Sequence, residues 1–330
     1  MGDSATPARG TDLVGVALAA GAGRRLAPLT AERPKVLCPV GGRPLLGWAL
    51  DRLVGVVGEV VVNVHHHAPL MLRWLGHVAE SGLAGSPPSA EFWRSAGDDA
   101  SAGPTASRLL KVGRIGADGR SVSLCASVEG PEALGTAGAL AALADHLDGR
   151  AVLSVNADSL IAADLSAVVD AWDGVRPLVA HGGAGGFHPG VPIVASITPF
   201  DLVERLPVEP AGLYGHLWRP MLESGSLQTL QVDAPVIDCG TPASYLAANL
   251  WLTGGQTSKE PVAGSSADRS VEPGGAITRS VVWGGAPRRG GERLDGAIRT
   301  TLGRTVLVRP VPPVPAREVP EVLLARRGGA

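Results

Sequence analysis

Cysteine is scarce in this 330-residue chain: Cys38, Cys125 and Cys239 are three, scattered, and without CxxC spacing. That excludes a disulfide framework and a cysteine-built zinc site, and it fits a reducing compartment. No apolar run reaches the roughly 18 residues a membrane span needs. The opening "MGDSATPARG" lacks the charged-then-apolar layout of a signal peptide. A soluble, cytoplasmic protein with no membrane partner is expected. An excess of either charge is also missing: 29 basic residues face 31 acidic ones. No broad electropositive surface is available to track a nucleic-acid backbone, so any anion must be met locally. Lysine is nearly absent, with only Lys35, Lys111 and Lys259 among the basic residues.

What the chain has is apolar mass, 45% of its residues, enough for one large core or two domains. "DLVGVALAA" and "EVVVNV" are short runs of the buried parallel-strand kind. Between them "RPLLGWALDRLVGV" sets Leu45, Leu46, Ala49, Leu50 and Leu53 at helical spacing, a βαβ unit. Farther on, "SVSLCASV" and "RAVLSVN" read as strands. "TAGALAALADHL" reads as a helix capped by Thr136, and "TPASYLAANLWL" as one capped by Thr241 with Pro242 in its first turn. The expected fold class is α/β, a Rossmann-like, mostly parallel sheet flanked by helices. Gly85 to Arg108 has no apolar period and reads as an inserted surface loop.

The stretch "LAAGAGRRLAPLTAERPKVLCPVGGRPL" follows the first strand directly. It lacks the G-x-x-x-x-G-K-[ST] of a P-loop, and counted from Gly21 the sixth position of a dinucleotide fingerprint is Leu26 instead of glycine. What remains is a bare turn with adjacent cations. Gly21 and Gly23 let backbone N–H groups approach a polyphosphate, and Arg25 and Lys35 can neutralise its charge. The ligand should be a nucleoside triphosphate.

This segment resembles the signature of the sugar-1-phosphate nucleotidyltransferases, or nucleotide-diphosphate-sugar pyrophosphorylases. "VVNVHHH", "VEGPEALGTAGAL", "LSVNADSL" and "VIDCGTPASYLAAN" follow in that family's order. The resemblance implies the nucleotide-diphospho-sugar transferase fold, with an NTP and a sugar 1-phosphate as partners. It implies Leu18, Ala20, Gly21, Ala22, Gly23, Arg24, Glu129, Gly135, Thr136 and Ala137 as nucleotide contacts. Arg25, Lys35 and Asp158 would carry catalysis, and Asp158 with Asp238 would share one Mg²⁺ at the C-terminal edge of the sheet. The style is most like mannose-1-phosphate guanylyltransferases, which implies GTP and mannose 1-phosphate. Another sugar phosphate, such as N-acetylmuramic acid 1-phosphate, stands as an alternative, as does a non-catalytic nucleotide-sugar sensor on the same fold.

Residues 12–252 are then the catalytic domain and 253–270 a linker. Residues 271–308 form a short degenerate β-helix-like segment, and 309–330 a Pro-rich disordered tail. Truncation after about Leu252 should leave nucleotide binding intact. The sequence leaves homo-oligomerisation open. One departure stands out: many relatives carry a Glu-Lys-Pro element whose lysine meets the sugar phosphate, yet no lysine lies between Asp158 and Asp238. Arg176, His181, His188 or Arg219 would have to substitute. His65, His66 and His67 alternate faces on an extended segment, which does not suit a metal, and Cys239 reads as a small filler.

Overall fold

The computed structural model describes residues 12–83, 88–94, 104–117, 120–183, 185–259, 276–287, 290–313 and 318–325. Its centre is an eight-stranded sheet of β1 (Leu13–Leu18), β2 (Glu59–Val64), β3 (Arg108–Ala117), β4 (Arg120–Val128), β5 (Ala151–Asn156), β6 (Leu178–His181), β7 (Ile193–Thr198) and β8 (Gln228–Gln231). Their order across the sheet is β8-β6-β7-β5-β1-β2-β4-β3. The middle is parallel, with β1 between β2 and β5, and β2 beside β4. Strands β3 and β7 run antiparallel to their neighbours. The apolar runs of β1 and β2 are buried almost throughout, as expected for strands covered on both faces.

Register places the active edge. Leu18 pairs with Asn156 and Val64 with Val128, so β1, β2, β4 and β5 all end at one rim, where open α/β sheets take their ligands. On one face the sheet packs on the helices Leu45–Val54 and Ala68–Ser81, and on the other on Gly135–Ala141. The helix Pro242–Leu252 starts as expected. Thr241 accepts from the Ser244 N–H while the Ser244 hydroxyl returns to the Thr241 N–H, a capping box. Thr136 does not cap its helix, which begins at Gly135; its hydroxyl instead accepts from the Leu213 N–H at 2.8 Å. That helix also stops at Ala141, and a separate turn of helix spans Ala144–Leu147.

The C-terminal segment shows parallel coils. Ser258–Lys259, Val281–Val282 and Ala297–Arg299 stack in register, and Ala276–Thr278 stacks on Arg293–Asp295. Thr305–Leu307 closes the stack antiparallel to Ala297–Arg299. Residues 260–270 of the expected linker and 271–275 of the segment after it lie outside the described ones.

Two expectations need correction. The Gly85 to Arg108 insertion contains a helix, Ala90–Arg94, whose Trp93 is 2% exposed. The tail expected to be disordered contains the helix Glu321–Ala325, whose Leu323 joins the apolar cluster of Tyr245, Trp251, Trp283 and Ile298. Both anchors are single large apolar side chains, too few to leave a periodic trace in sequence. The same cluster includes Leu26, Leu29 and Cys38 from the signature segment. The coils therefore share a core with the region the truncation expectation treated as self-sufficient.

Candidate active site

The strand β1 ends at Leu18, and the chain turns through Gly21 to Gly23 into a short 3₁₀ turn, Arg24–Leu26. Gly23 has φ 60, and a Cβ there would lie 2.9 Å from both Lys35 Cβ and Thr30 Cγ2. Only glycine fits, because the left-handed backbone and the close approach coincide. The stem of Lys35 thus packs under the glycine turn, and the residue is 4% exposed.

The Lys35 ammonium donates to Asp158 Oδ2 and to Asp238 Oδ1, each at 2.9 Å. The two carboxylates, 80 positions apart in sequence, therefore lie within twice that distance of each other. A small ladder brings them together: Val236–Asp238 pairs antiparallel with Ser159–Ile161, and Asp238 sits opposite Ser159. The Ala157 N–H donates to Leu18 O at 3.1 Å and ties the Asp158 turn to the end of β1. Arg25 lies outermost, its side chain 73% exposed and Nη2 3.4 Å from Asp238 Oδ2. Burial pulls the Lys35 pKa down, but Asp158 and then Asp238 outweigh it, and the net shift is upward from the ordinary lysine value. Lys35 is a permanent cation near neutral pH.

Arg25, Lys35 and Asp158 border a cleft of about 1070 Å³, and Asp238 reaches it through its contacts with Lys35 and Arg25. Leu18, Ala20, Gly21, Ala22, Gly23, Arg24, Arg25, Lys35, Gly135, Thr136 and Asp158 all line it. Two expected nucleotide contacts do not. Ala137 is fully buried, and its N–H donates to Ala211 O at 2.9 Å. Glu129 is 1% exposed, and its carboxylate accepts from Asn63 Nδ2 and from the Leu134 N–H, each at 2.8 Å. Burial raises its pKa against the pull of those two donors. Because Asn63 Oδ1 in turn accepts from the Ala19 N–H, Glu129 braces the 129–135 loop against the glycine turn from behind the cleft.

Sequence reasoning missed Asn63, His66 and Gly240. His66 lines the cleft, its pKa lowered by burial and by His67, His65 and Arg24. A Cβ on Gly240 would come 2.7 Å from Asp238 Oδ2 and 2.9 Å from Arg25 Nη2. Asn63 stood in the quoted "VVNVHHH", but nothing in that string shows that its side chain joins three segments. His65 Nδ1 meets Glu129 O while His67 Nε2 meets Thr30 O, each at 3.0 Å. Burial pushes the Cys239 thiol to about 12, so it stays protonated.

Of the four candidates for the missing lysine, Arg176 pairs with Asp173 just before β6, at the far rim of the sheet. Arg219 is exposed and lies 4.0 Å from Glu223. His181, 2% exposed, ends β6 at the active rim, and exposed His188 lies in the hairpin that follows. None of the four lines the cleft.

The carboxylate pair fits a hard divalent cation. Asp158 and Asp238 offer oxygen ligands from side chains 45% and 53% exposed, converging beside the polyphosphate-sized cleft. Mg²⁺ takes one or two carboxylates and completes its shell with phosphate oxygens and water.

Residues 14–174 match the family model for nucleotidyl transferase. This chain carries a nucleotidyl transferase domain. Over 72 residues, 22% of the chain, it is 46% identical to the N-acetylmuramate alpha-1-phosphate uridylyltransferase of Caulobacter vibrioides. Over 151 residues, 46% of the chain, it is 34% identical to the Neisseria meningitidis enzyme of that name. These matches span 30% and 48% of the two relatives' own lengths. In fold, the chain is similar to a Bacillus anthracis structure described as a glucose-1-phosphate thymidylyltransferase. That likeness has a TM-score of 0.52 and 17% identity over 72% of this chain and 94% of that one.

Proposed function

We propose that this chain joins a nucleoside triphosphate to a sugar 1-phosphate, giving a nucleotide sugar and pyrophosphate. The observation that carries this reading is the meeting of Lys35, Asp158 and Asp238 beside the glycine turn. An oxygen of the sugar phosphate forms the new bond to the α-phosphorus. The bond from that phosphorus to the bridging oxygen breaks, and its electron pair leaves with pyrophosphate. A phosphate monoester has its second pKa near about 6, so the attacking oxygen is already ionised and no general base is needed. Catalysis then rests on placement and charge. The Gly21–Gly23 backbone seats the polyphosphate, while Lys35 and Arg25 offset the charge it gathers. Asp158 and Asp238 would hold Mg²⁺, which when bound supplies further charge neutralisation to the phosphates.

We place UTP with N-acetylmuramic acid 1-phosphate ahead of GTP with mannose 1-phosphate, because both curated relatives named above carry that pairing. The three thiols are free, and no helix among the described residues is long and apolar enough to cross a membrane. A cytoplasmic site, where both substrates occur, goes with the proposal. Pyrophosphate release over a panel of four triphosphates and several sugar 1-phosphates tests it, with UTP and N-acetylmuramic acid 1-phosphate expected to lead. A lead for GTP and mannose 1-phosphate would reverse the order. Tight triphosphate binding without release from any pair would favour the sensor reading, which the missing sugar-phosphate lysine supports.

A further inference from the structure

The signature segment continues from the glycine turn into Glu32 and Arg33, two charged residues 6% and 1% exposed. Neither faces the cleft. Glu32 Oε1 accepts from Thr300 Oγ1 at 2.6 Å and Oε2 from the Leu302 N–H at 3.1 Å, with Arg304 Nε 3.8 Å away. Arg33 Nη2 donates to Thr301 Oγ1 at 2.6 Å, and that hydroxyl donates on to Gly284 O at 2.9 Å. The Arg33 guanidinium lies 3.7 Å from the ring centroid of Trp93, in the insertion, and 4.5 Å from that of Trp283, in the coils. Every partner of this pair named here lies outside the segment that carries it. Two residues later comes Lys35, at the start of a 3₁₀ turn whose Leu37 N–H donates back to Pro34 O. A chain held at 32 and 33 by hydrogen bonds and stacking leaves little freedom at 35.

We propose that Glu32 and Arg33 are positioning residues, and that the C-terminal coils and the insertion helix form a brace that holds Lys35 at Asp158 and Asp238. The coils are thereby part of the active site although none of their described residues borders the cleft. The catalytic arm of this proposal rests on the function proposed above; the placement of Lys35 does not.

The test uses the full chain with Thr300→Val and Thr301→Val together, which remove the two hydroxyls and keep the volume. Thermal melting confirms a folded variant. Reductive methylation read by peptide mass spectrometry then compares Lys35 with exposed Lys111 as internal standard. In the wild type Lys35 reacts more slowly. In the double variant its rate should rise about tenfold, the scale of losing one or two hydrogen bonds, with Lys111 unchanged. In pyrophosphate release, kcat should fall about tenfold with little change in KM, the pattern of a group that acts in the transition state. Arg33→Lys, which keeps charge but loses the planar stack, should raise Lys35 labelling as well, and Glu32→Gln should do so less than Glu32→Ala.

Unchanged Lys35 labelling in a folded double variant overturns the brace, as does unchanged turnover where the wild type is active. A wild type without turnover defeats the proposed function, and labelling still decides the brace. Should the double variant not fold, Thr301→Val alone carries the same comparison.

Discussion

At the residue scale, Lys35 and Arg25 look alike in sequence and differ in structure. Lys35 is buried between two carboxylates, whereas Arg25 is largely in solvent at one of them. An exposed ion pair at 3.4 Å contributes about 0–1 kcal/mol to stability. Arg25→Ala should therefore leave the melting temperature unchanged and still lower turnover by about 10²-fold, the scale of removing one preorganised charge from a transition state. Lys35→Ala should lower turnover at least as much and also destabilise, because Asp158 and Asp238 are left to repel. Stopped pyrophosphate assays and melting curves on the two variants check the contrast; equal thermal effects would contradict it. Gly240→Ala should cut turnover by about tenfold or more, since its Cβ must displace the Asp238 carboxylate or the Arg25 guanidinium. Arg25 and Lys35 stood out in sequence as cations beside the glycine turn, and the two aspartates only through the family resemblance; the structure brings all four together. Asn63 and Glu129 were not read as a brace, because their hydrogen bonds cross between β2 and the 129–135 loop.

Among elements, the short ladder of 159–161 with 236–238 matters more to the site than any helix. Three residues long on each side, it has no amphipathic period to announce it, yet its register sets Asp238 beside Asp158. The opposite rim shows how the helices are fixed. Glu59, at the start of β2, accepts from Arg150 Nη1 at 2.8 Å and meets His146 Nε2 at 2.9 Å. Cys125 Sγ lies 3.6 Å from the same carboxylate, its thiol pushed up to about 11 chiefly by burial. Burial pushes the Glu59 carboxyl up as well, but Arg150 and His146 outweigh it and hold it below the ordinary glutamate value. A carboxyl whose folded pKa is depressed stabilises above its unfolded pKa, and that contribution is lost as pH falls through the folded value. Glu59→Gln should thus cost about 1–3 kcal/mol at neutral pH, and the difference from wild type should shrink as pH drops below 4.5. Urea titrations across that range measure it; a constant difference would remove the ionic explanation.

For the whole molecule, the decisive feature is that the C-terminal coils and the signature segment share one apolar cluster. Trp283 is 1% exposed, its Nε1 donates to the Tyr245 hydroxyl at 3.1 Å, and that hydroxyl donates to Pro39 O. Removing a buried tryptophan side chain costs about 3–5 kcal/mol. Trp283→Ala should lower stability by that amount in denaturant titration, and wild type should melt in one cooperative transition. A separate early transition for the coils would show that the cluster does not couple them. Deletion of residues beyond Leu252 should destabilise the signature segment and weaken triphosphate binding, the reverse of the outcome expected when the phosphate-directed motifs are considered alone.

The sequence by itself determined the α/β class, the central strands, the glycine turn and the charged residues beside it. Strand burial and phosphate chemistry impose local, periodic or compositional demands that a linear string displays. It also carried the Thr241 cap, a signal complete within four residues. Only the tertiary structure decided that Lys35 lies between two aspartates, that Glu129 stands behind the cleft, and that Glu32 and Arg33 turn away from it toward the coils. Each of those depends on contacts across about 65 to 270 positions, where register and the packing of a few large side chains choose the partner, and no local pattern encodes that choice.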